Sequence, residues 1–216
     1  YTLSLHDALP ILENAAHELQ TPLAVCMNKL ELLSEHPDCT EDQLKEIAGL
    51  HQALNGIIRL NKSLLLLSRI DNKQFPETRD ICLNHLIHKI LEGINDIYER
   101  KALHLRVSEK ESLVCTMNES LATTLITNLI KNAYVHNYEK GDIGITISRR
   151  MLTIANTGID KTLDKELLFA RFASQSKQQE STGLGLAIVK SIVDLYSIRI
   201  DYQYANGMHT FTLLFY

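Results

Sequence analysis

One histidine near the start of the chain stands among residues that could make it a nucleophile. His17 is followed by Glu18, and Thr21 and Pro22 come about one helical turn later in the run HELQTPL. An imidazole is nucleophilic when one ring nitrogen is free and the other is held by a hydrogen bond, and an adjacent carboxylate can fix that tautomer. A proline inside a helical pattern costs about 3 kcal/mol and predicts a kink. The combination predicts a solvent-facing, chemically active His17, and an ordinary surface histidine is the alternative.

Two asparagines could bind a hard cation. Asn128 and Asn132 lie four residues apart in the run NLIKNAYVHN, with Lys131 beside them and His136 one turn further on. Residues at this spacing share one face of a helix, and asparagine is a poor helix former. Mg²⁺ takes one or two protein oxygens and completes its shell with water and phosphate oxygens. The pattern favours a magnesium–nucleotide contact, and solvated surface amides are the alternative.

Two glycine-containing turns could approach phosphate groups. The run Asn156-Thr157-Gly158 follows a predicted strand, and STGLGLAIV (181–189) opens a predicted apolar helix. Glycines let backbone N–H groups approach an anion at a helix start. Neither a P-loop nor a Rossmann pattern occurs. The polar segment between the turns, 159–181, is predicted to be a lid anchored by Phe169 and Phe172.

Two long helices are predicted to position His17. From Leu12 to Leu33 apolar residues recur at alternating steps of four and three, the spacing of a coiled coil. The polar run 34–40 ends this helix, and Thr40 with Gln43 forms a capping box that begins a second helix, predicted to reach about Ile70. Such an antiparallel hairpin leaves an apolar stripe uncovered. A second copy would cover it in a four-helix bundle, and packing on the same chain is the alternative.

A different pattern follows the polar, proline-containing segment 71–80, which is predicted to be a linker. Helices are predicted over 83–99, about 120–136 and 184–196, and strands over 104–107, 113–117, 143–149, 152–155, 198–204 and 210–215. Asn206-Gly207 between the last two strands is a strong hairpin-turn signal. This part reads as α+β, with mostly antiparallel strands covered by helices on one side. The predicted boundaries are 12–71 for the hairpin, 72–80 for the linker and 81–216 for the second domain.

Composition excludes several classes of protein. The chain has 216 residues, 26 acidic against 22 basic, for a net charge of −4. This balance argues against a nucleic-acid partner. Its four cysteines include no C-x-x-C pair, which predicts reduced thiols rather than disulfides or a zinc site. No apolar run reaches the roughly 18 residues that span a bilayer, so we expect this fragment to be soluble.

The first residues are set apart from the fold prediction. The chain begins with Tyr1 rather than Met, and residues 2–11, TLSLHDALPI, resemble the translation of a sequencing adapter. Segments of this kind are excluded from fold reasoning. We expect residues 1–11 to be non-native and the natural polypeptide to begin near Leu12, and a short N-terminal tail is the alternative.

The order of the motifs is more specific than any one of them. HELQTPLA, NLIKNA, NTG, LFARF and STGLGLAIV follow one another in a chain that, over 12–216, strongly resembles a bacterial sensor histidine kinase of two-component signalling. The resemblance implies two domains: an all-α dimerisation and phosphoacceptor hairpin, then an α+β sandwich of the Bergerat ATPase type. It implies a homodimer that phosphorylates itself from ATP with Mg²⁺ and passes the phosphoryl group to the receiver domain of a response regulator. It also implies a cytoplasmic location, with a membrane reached only through upstream segments.

The resemblance implies a role for individual residues as well. His17 would accept the phosphoryl group, Glu18 would be its acid–base partner, and Thr21 would orient water when the regulator is dephosphorylated. Asn132 would hold Mg²⁺. The other residues implied to bind ATP are Asn128, Lys131, His136, Asn156, Gly158, Phe169, Phe172, Lys177, Thr182, Gly183, Leu184 and Gly185.

Three departures from the family pattern bear on these roles. Asn156 stands where an aspartate usually accepts a hydrogen bond from the adenine amino group, and Asp160 replaces a glycine. An amide oxygen can still accept that bond, without charge assistance of about 1 kcal/mol. Ser181 replaces a second glycine. Val135 replaces a basic residue, whose charge Lys131 or Lys177 could supply.

Two other functions remain open at this point. A non-kinase ATPase of the same fold is one, although HELQTP argues against it and Thr124 stands where such enzymes carry a general-base glutamate. A degenerate kinase that serves as a phosphatase or scaffold is the other. Acid-labile, base-stable labelling from ATP separates the kinase from both.

Overall fold

The computed structural model describes residues 5–172 and 183–216, and among these the side chains of all but 5–17, Asn95 and Arg100. The helices are α1 (Leu5–Ser34), α2 (Glu41–Asp71), α3 (Leu83–Tyr98), α4 (Glu119–Val135), α5 (Lys165–Leu168) and α6 (Gly185–Leu195). The strands are β1 (Arg79–Cys82), β2 (His104–Glu109), β3 (Val114–Met117), β4 (Asp142–Ser148), β5 (Met151–Thr157), β6 (Arg199–Ala205) and β7 (Met208–Leu214). Within these two ranges no helix carries an apolar stretch long enough to cross a bilayer.

Helices α1 and α2 form the predicted hairpin. The Thr40 backbone N–H donates to Gln43 Oε1 at 2.9 Å, and the Gln43 backbone N–H donates to Thr40 Oγ1 at 3.3 Å, so the predicted capping box begins α2. Helix α1 is continuous through Pro22, so the predicted kink does not interrupt the helix. It begins at Leu5 and therefore includes residues 5–11. Large apolar side chains remain exposed along both helices, among them Leu19, Val25, Leu32, Leu33, Leu44, Leu50 and Ile57.

A five-stranded sheet forms the base of the second unit, in the order β2-β4-β5-β7-β6. Only the β2–β4 pair is parallel, so the sheet is mostly antiparallel, as predicted. Along β4, β5 and β7 buried and half-buried residues alternate strictly, which is the pattern of a sheet covered on one face. Helices α3, α4 and α6 supply the covering layer, and the core lies between them and the sheet.

The hairpin packs against this unit through the end of α2. Leu67 and Ile70 are almost fully buried and belong to the same apolar cluster as the α4 and α6 side chains. Arg69, one position before Ile70, holds its guanidinium 5.1 Å from the centre of the Phe75 ring. The end of α2 and the segment that follows it are therefore fixed to the second unit.

Three local features refine the sequence prediction. Arg79 and Asp80 lie in the segment predicted as linker, but they begin β1, which pairs antiparallel with β3. Residues Lys165–Leu168 form the short helix α5 within the segment predicted as an irregular lid. Asn206 and Gly207 both have positive φ, 52° and 78°, which makes the β6–β7 connection the type I′ turn that Asn-Gly predicts.

Candidate functional site

Helix α4 presents a polar face beside its buried one. Asn118 caps the helix, its side chain accepting from the backbone N–H groups of Ser120 and Leu121. One face is fully apolar and faces the core, from Leu121 through Leu129 to Ala133. Asn128 and Asn132 lie beside this face and are half-buried. The Asn128 Nδ2 donates to the Thr124 carbonyl at 2.9 Å, which leaves its Oδ1 directed away from the helix axis.

The start of α6 lies against this polar face of α4. A Cβ added at Gly185 would lie 3.0 Å from Asn128 Oδ1, so a side chain at this position would crowd the Asn128 amide. Gly183 has a φ of 68°, a left-handed conformation that glycine adopts without strain. Leu184 is fully buried and precedes the helix, anchoring its first turn to the core. The positive end of the α6 dipole thus faces the α4 asparagines, an arrangement that suits an anion.

Asn156 lies at the end of β5 and is 2% exposed. Its Nδ2 donates to the Thr157 carbonyl at 2.8 Å, so the amide orientation is fixed and Oδ1 is the atom left to accept a further bond. Asn156 pairs with Ile143 on β4 and with His209 on β7. Its side chain is therefore an acceptor at the end of the helix-covered face of the sheet.

Gly158 brings the ends of β5 and α4 into contact. A Cβ at this position would lie 2.9 Å from His209 Cδ2 and 3.1 Å from the His136 carbonyl oxygen. Any side chain would push apart the strand end and the helix end. The close approach places Asn156, Gly158 and the last turn of α4 around the same space.

A buried polar network fixes the loop after α4. The Thr157 hydroxyl donates to Asn137 Oδ1 at 2.6 Å, and Asn137 Nδ2 donates to the Asp142 carbonyl at 3.1 Å. The Asp142 backbone N–H donates to Thr157 Oγ1 at 2.9 Å. A Cβ at Gly141 would overlap the Asn137 amide. These bonds join the loop to β4 and β5 and hold the end of α4 in place.

Lys101 caps the C-terminus of α4 from a distant part of the chain. Its Nζ donates to the carbonyls of Tyr134 at 2.9 Å, Val135 at 2.9 Å and Asn137 at 3.0 Å. A cation at a helix C-terminus interacts favourably with the helix dipole. Next to this cap, desolvation of the His136 ring lowers its pKa, and the nearby Lys101 and His209 lower it further.

The two phenylalanines predicted to anchor the lid differ in their burial. Phe169 packs edge-on against Phe211 in the core, with the ring centres 6.5 Å apart. Phe172 has a φ of 65° and is 59% exposed, so the prediction that it also anchors the lid is wrong in this structure. Lys177 and Thr182, predicted to bind ATP, lie outside the described residues.

The predicted phosphoacceptor lies on the helical hairpin. His17 is within α1, and Thr21 follows it by one helical turn on the same side of the helix. Glu18, Thr21 and Pro22 are exposed. Counted from the connecting loop, His17 is level with about Ile58 of α2, so Asp71 at the end of α2 lies about 20 Å further along the hairpin axis.

Two family models match this chain in the order of its two units. Residues 11–73 match the His Kinase A phospho-acceptor domain, and residues 117–215 match the histidine kinase-, DNA gyrase B- and HSP90-like ATPase domain. The heme sensor protein HssS of Staphylococcus saprophyticus is 33% identical over 213 residues, which are 94% of this chain and 45% of that protein. The chain belongs to the sensor histidine kinase family.

Other similar proteins agree with this family. Sensor histidine kinase HprS of Escherichia coli is 28% identical over 93% of this chain and 46% of its own length. The kinase chain spans less than half the length of these two relatives. Full-length ShkA in complex with AMPPNP has the same fold, with a TM-score of 0.73 at 17% identity over 96% of this chain and 46% of that one. The histidine kinase AdeS of Acinetobacter baumannii also has this fold, with a TM-score of 0.64 at 21% identity. The match covers 91% of this chain and 95% of that one.

The fold brings several of the predicted nucleotide residues close together in pairs. Asn128 and Gly185 are in contact, and Gly158 touches the end of α4 that carries His136. Asn132 lies one turn beyond Asn128, and Lys131 is exposed beside them. Phe169 lies in the core, whereas His17, Glu18 and Thr21 lie on the separate helical hairpin.

Three residues around this site were not predicted from the sequence. Lys101, Tyr202 and His209 contribute buried or half-buried polar groups at the ends of α4 and β5. The sequence pattern could have indicated His209, because alternation along the last strand places it on the same face as Phe211 and Leu213. A histidine on an otherwise apolar face calls for a polar partner. Lys101 gave no comparable signal, because its partners are backbone carbonyls more than 30 residues away.

Proposed function

We propose that this chain is the autokinase core of a two-component sensor, which transfers the γ-phosphoryl group of ATP to His17 and then to a receiver-domain aspartate. The contact between Asn128 Oδ1 and Gly185 carries the nucleotide part of the proposal. It supports a proposed nucleotide cleft between α4 and α6, because the Asn128 amide lies against the start of α6, where a helix N-terminus favours an anion. The phosphoacceptor motif and this cleft belong to one chain.

Asn156 supports adenine as the base. Its amide nitrogen is engaged by the Thr157 carbonyl, so its Oδ1 is the group that a ligand meets. An acceptor pairs with the 6-amino group of adenine and not with the 6-oxo group of guanine. Burial of Asn156 strengthens the discrimination, because a buried acceptor without a partner costs about 1–3 kcal/mol.

Asn132 is the proposed ligand of Mg²⁺. Within the described ranges, His, Cys, Asp and Glu side chains form no cluster of three or more that could hold a metal ion. One amide oxygen with water and phosphate oxygens is a donor set that Mg²⁺ accepts. When bound, Mg²⁺ would offset the negative charge that the phosphate oxygens bring into the cleft.

The hairpin supplies the nucleophile and its partner groups. An imidazole nitrogen of His17 attacks the γ-phosphorus, a nitrogen–phosphorus bond forms, and the bond to the bridging oxygen breaks to release ADP. Glu18, the next residue, holds the proton on the other ring nitrogen. Thr21 lies one turn away, where its hydroxyl orients water toward an aspartyl phosphate on the regulator. The exposed apolar residues of α1 and α2 support a homodimer.

Labelling with [γ-³²P]ATP tests the proposal. The kinase core acquires an acid-labile, base-stable label that requires Mg²⁺ and leaves the protein when a receiver domain is added. Steady phosphate release without labelled protein would instead identify an ATPase. Neither label nor phosphate release, together with dephosphorylation of a phosphorylated receiver, would identify a degenerate kinase that acts as a phosphatase.

A further inference from the structure

The base-recognition residue of the proposed ATP site has an unusual neighbour. Asn156 on β5 is directly opposite His209 on β7, and the two side chains are 2% and 5% exposed. The next two pairs along this face, Ile154 with Phe211 and Leu152 with Leu213, are apolar. Directly opposite residues in an antiparallel pair have Cβ atoms about 4.5–5.5 Å apart. A buried polar pair thus stands at the end of an apolar face, beside the nucleotide cleft.

The hydrogen bonds of His209 run in one direction. Its Nε2 lies 2.8 Å from the Ile159 carbonyl oxygen, and because a carbonyl only accepts, Nε2 carries the proton. Its Nδ1 lies 2.8 Å from the Tyr202 hydroxyl, which therefore donates. The Leu163 backbone N–H donates to the same hydroxyl at 3.3 Å. The hydrogen bonds thus run from the Leu163 N–H through the Tyr202 hydroxyl and the His209 ring to the Ile159 carbonyl. Both ends lie on the segment that follows β5.

The His209 ring also fills the space against Gly158. A Cβ at Gly158 would lie 2.9 Å from its Cδ2 and 3.2 Å from its Nε2. Tyr202, 1% exposed, supports the other side of the ring, with the ring centres 6.0 Å apart and nearly parallel. The imidazole therefore has little room to rotate. Its position sets that of Gly158, two residues after Asn156.

We propose that His209, held by Tyr202, is the positioning residue for adenine recognition: it fixes the wall formed by Asn156, Gly158 and Ile159 so that Asn156 Oδ1 faces the base. The inference rests on the proposed function, since it needs adenine to bind at Asn156. His209 acts through Asn156 and Gly158 and does not itself contact the nucleotide. In this chain Asp160 takes the place of a glycine, and its carboxylate accepts from the Tyr204 hydroxyl, a second tie on the same segment.

The test compares ATP with purine riboside triphosphate, which lacks the 6-amino group. The wild-type chain should bind ATP about tenfold more tightly or better, since one hydrogen bond to a buried acceptor is at stake. In His209→Phe the Ile159 carbonyl loses the donor His209 Nε2, and the Tyr202 hydroxyl loses the acceptor His209 Nδ1. The ratio of the two dissociation constants should then fall to about threefold or less. Tyr202→Phe removes one hydroxyl and should lower the ratio part of the way.

Thr210→Val is the matched control, because Thr210 is the next residue of β7 and points to the other face of the sheet. It should keep the wild-type ratio. A merely structural role would change the folded fraction or the affinity for both nucleotides and leave their ratio intact. An unchanged ratio in folded His209→Phe would overturn the inference. If His209→Phe does not fold, an unchanged ratio in Tyr202→Phe would overturn it.

The wild-type measurements separate this inference from the proposed function. A wild-type chain that binds neither nucleotide would contradict the proposed function itself. A wild-type chain that binds both nucleotides equally would overturn the inference, because no recognition at Asn156 would exist for His209 to position. Discrimination in the wild type that survives in both variants would leave the proposed function standing and remove the role of His209.

Discussion

Asp71, the last residue of α2, and Arg171, beyond the lid anchor Phe169, form an ion pair with 2.7 Å between Oδ2 and Nη2. The pair joins the helical hairpin to the base of the proposed ATP lid. It lies near Ile70, which is buried against the second unit. Because Asp71 is about 20 Å along the hairpin from the level of His17, we expect the pair to hold the proposed ATP-binding unit away from the proposed phosphoacceptor.

Breaking this ion pair should therefore speed autophosphorylation. Both side chains are partly exposed, 35% for Asp71 and 52% for Arg171, so the pair contributes no more than about 1 kcal/mol. Arg171→Asp should raise the initial rate of His17 labelling by up to about fivefold. The double variant Asp71→Arg/Arg171→Asp restores opposite charges and should return the rate toward wild type. Equal rates in all three proteins would show that the contact does not restrain the kinase.

Substitution of Asn132 should remove the magnesium-dependent part of ATP affinity. Asn132→Ala deletes the proposed ligand, and alanine is a better helix former than asparagine, so α4 should persist. We expect isothermal titration calorimetry with Mg²⁺ to show affinity at least tenfold weaker. Thr123→Ala is the control, since the Thr123 hydroxyl only donates to the Glu119 carbonyl of its own helix. Unchanged affinity in Asn132→Ala would remove Asn132 from the metal site.

Asn156 can be tested by removing or charging its side chain. Asn156→Ala should weaken ATP binding by about 1–2 kcal/mol, because the adenine amino group loses its acceptor. From the sequence alone, Asn156→Asp is predicted to accept a stronger, charge-assisted hydrogen bond from the adenine amino group. The structure predicts otherwise: aspartate loses the donor to the Thr157 carbonyl and places a charge at a position that is 2% exposed. We expect Asn156→Asp to lower thermal stability without improving ATP affinity, and tighter binding would contradict the assigned orientation of the amide.

Substitution of Thr21 should affect dephosphorylation of the regulator without affecting autophosphorylation. Its side chain is exposed, so Thr21→Ala removes a hydroxyl without creating a cavity. Autophosphorylation should be preserved, whereas dephosphorylation of the regulator should slow by tenfold or more, about 1.4 kcal/mol in the barrier. Thr21→Ser keeps the hydroxyl and should behave like wild type. Loss of both activities together would make Thr21 structural, and retention of both would remove its role in the phosphatase reaction.

Local sequence patterns predicted the features that depend on neighbouring residues. The capping box of Thr40 and Gln43 and the positive-φ pair Asn206-Gly207 form where the sequence placed them. The apolar and polar faces of α4 also follow directly from a spacing of three and four residues. Each of these features is decided within one turn of the chain, so no knowledge of the tertiary fold was needed.

Features that depend on strand register could not be predicted in this way. The pairing of Asn156 with His209 joins residues more than 50 positions apart, and the sequence pattern does not fix which strands are neighbours. The cap that Lys101 gives to α4 depends on the same tertiary arrangement. Phe172 was predicted to anchor the lid by its apolar character, but it is exposed and has a positive φ, and local sequence does not predict either property.

Mapping the phosphorylated residue tests whether His17 is the phosphoacceptor. The full chain is labelled with [γ-³²P]ATP and Mg²⁺, and the label is located by peptide mapping at alkaline pH, where phosphohistidine survives. His36→Gln is the control, because His36 is exposed in the loop between α1 and α2. We expect wild type and His36→Gln to carry the label in the peptide that contains His17. We also expect His17→Gln to bind ATP normally and to carry no label. Acid-labile label that persists in His17→Gln would show that His17 is not the phosphoacceptor.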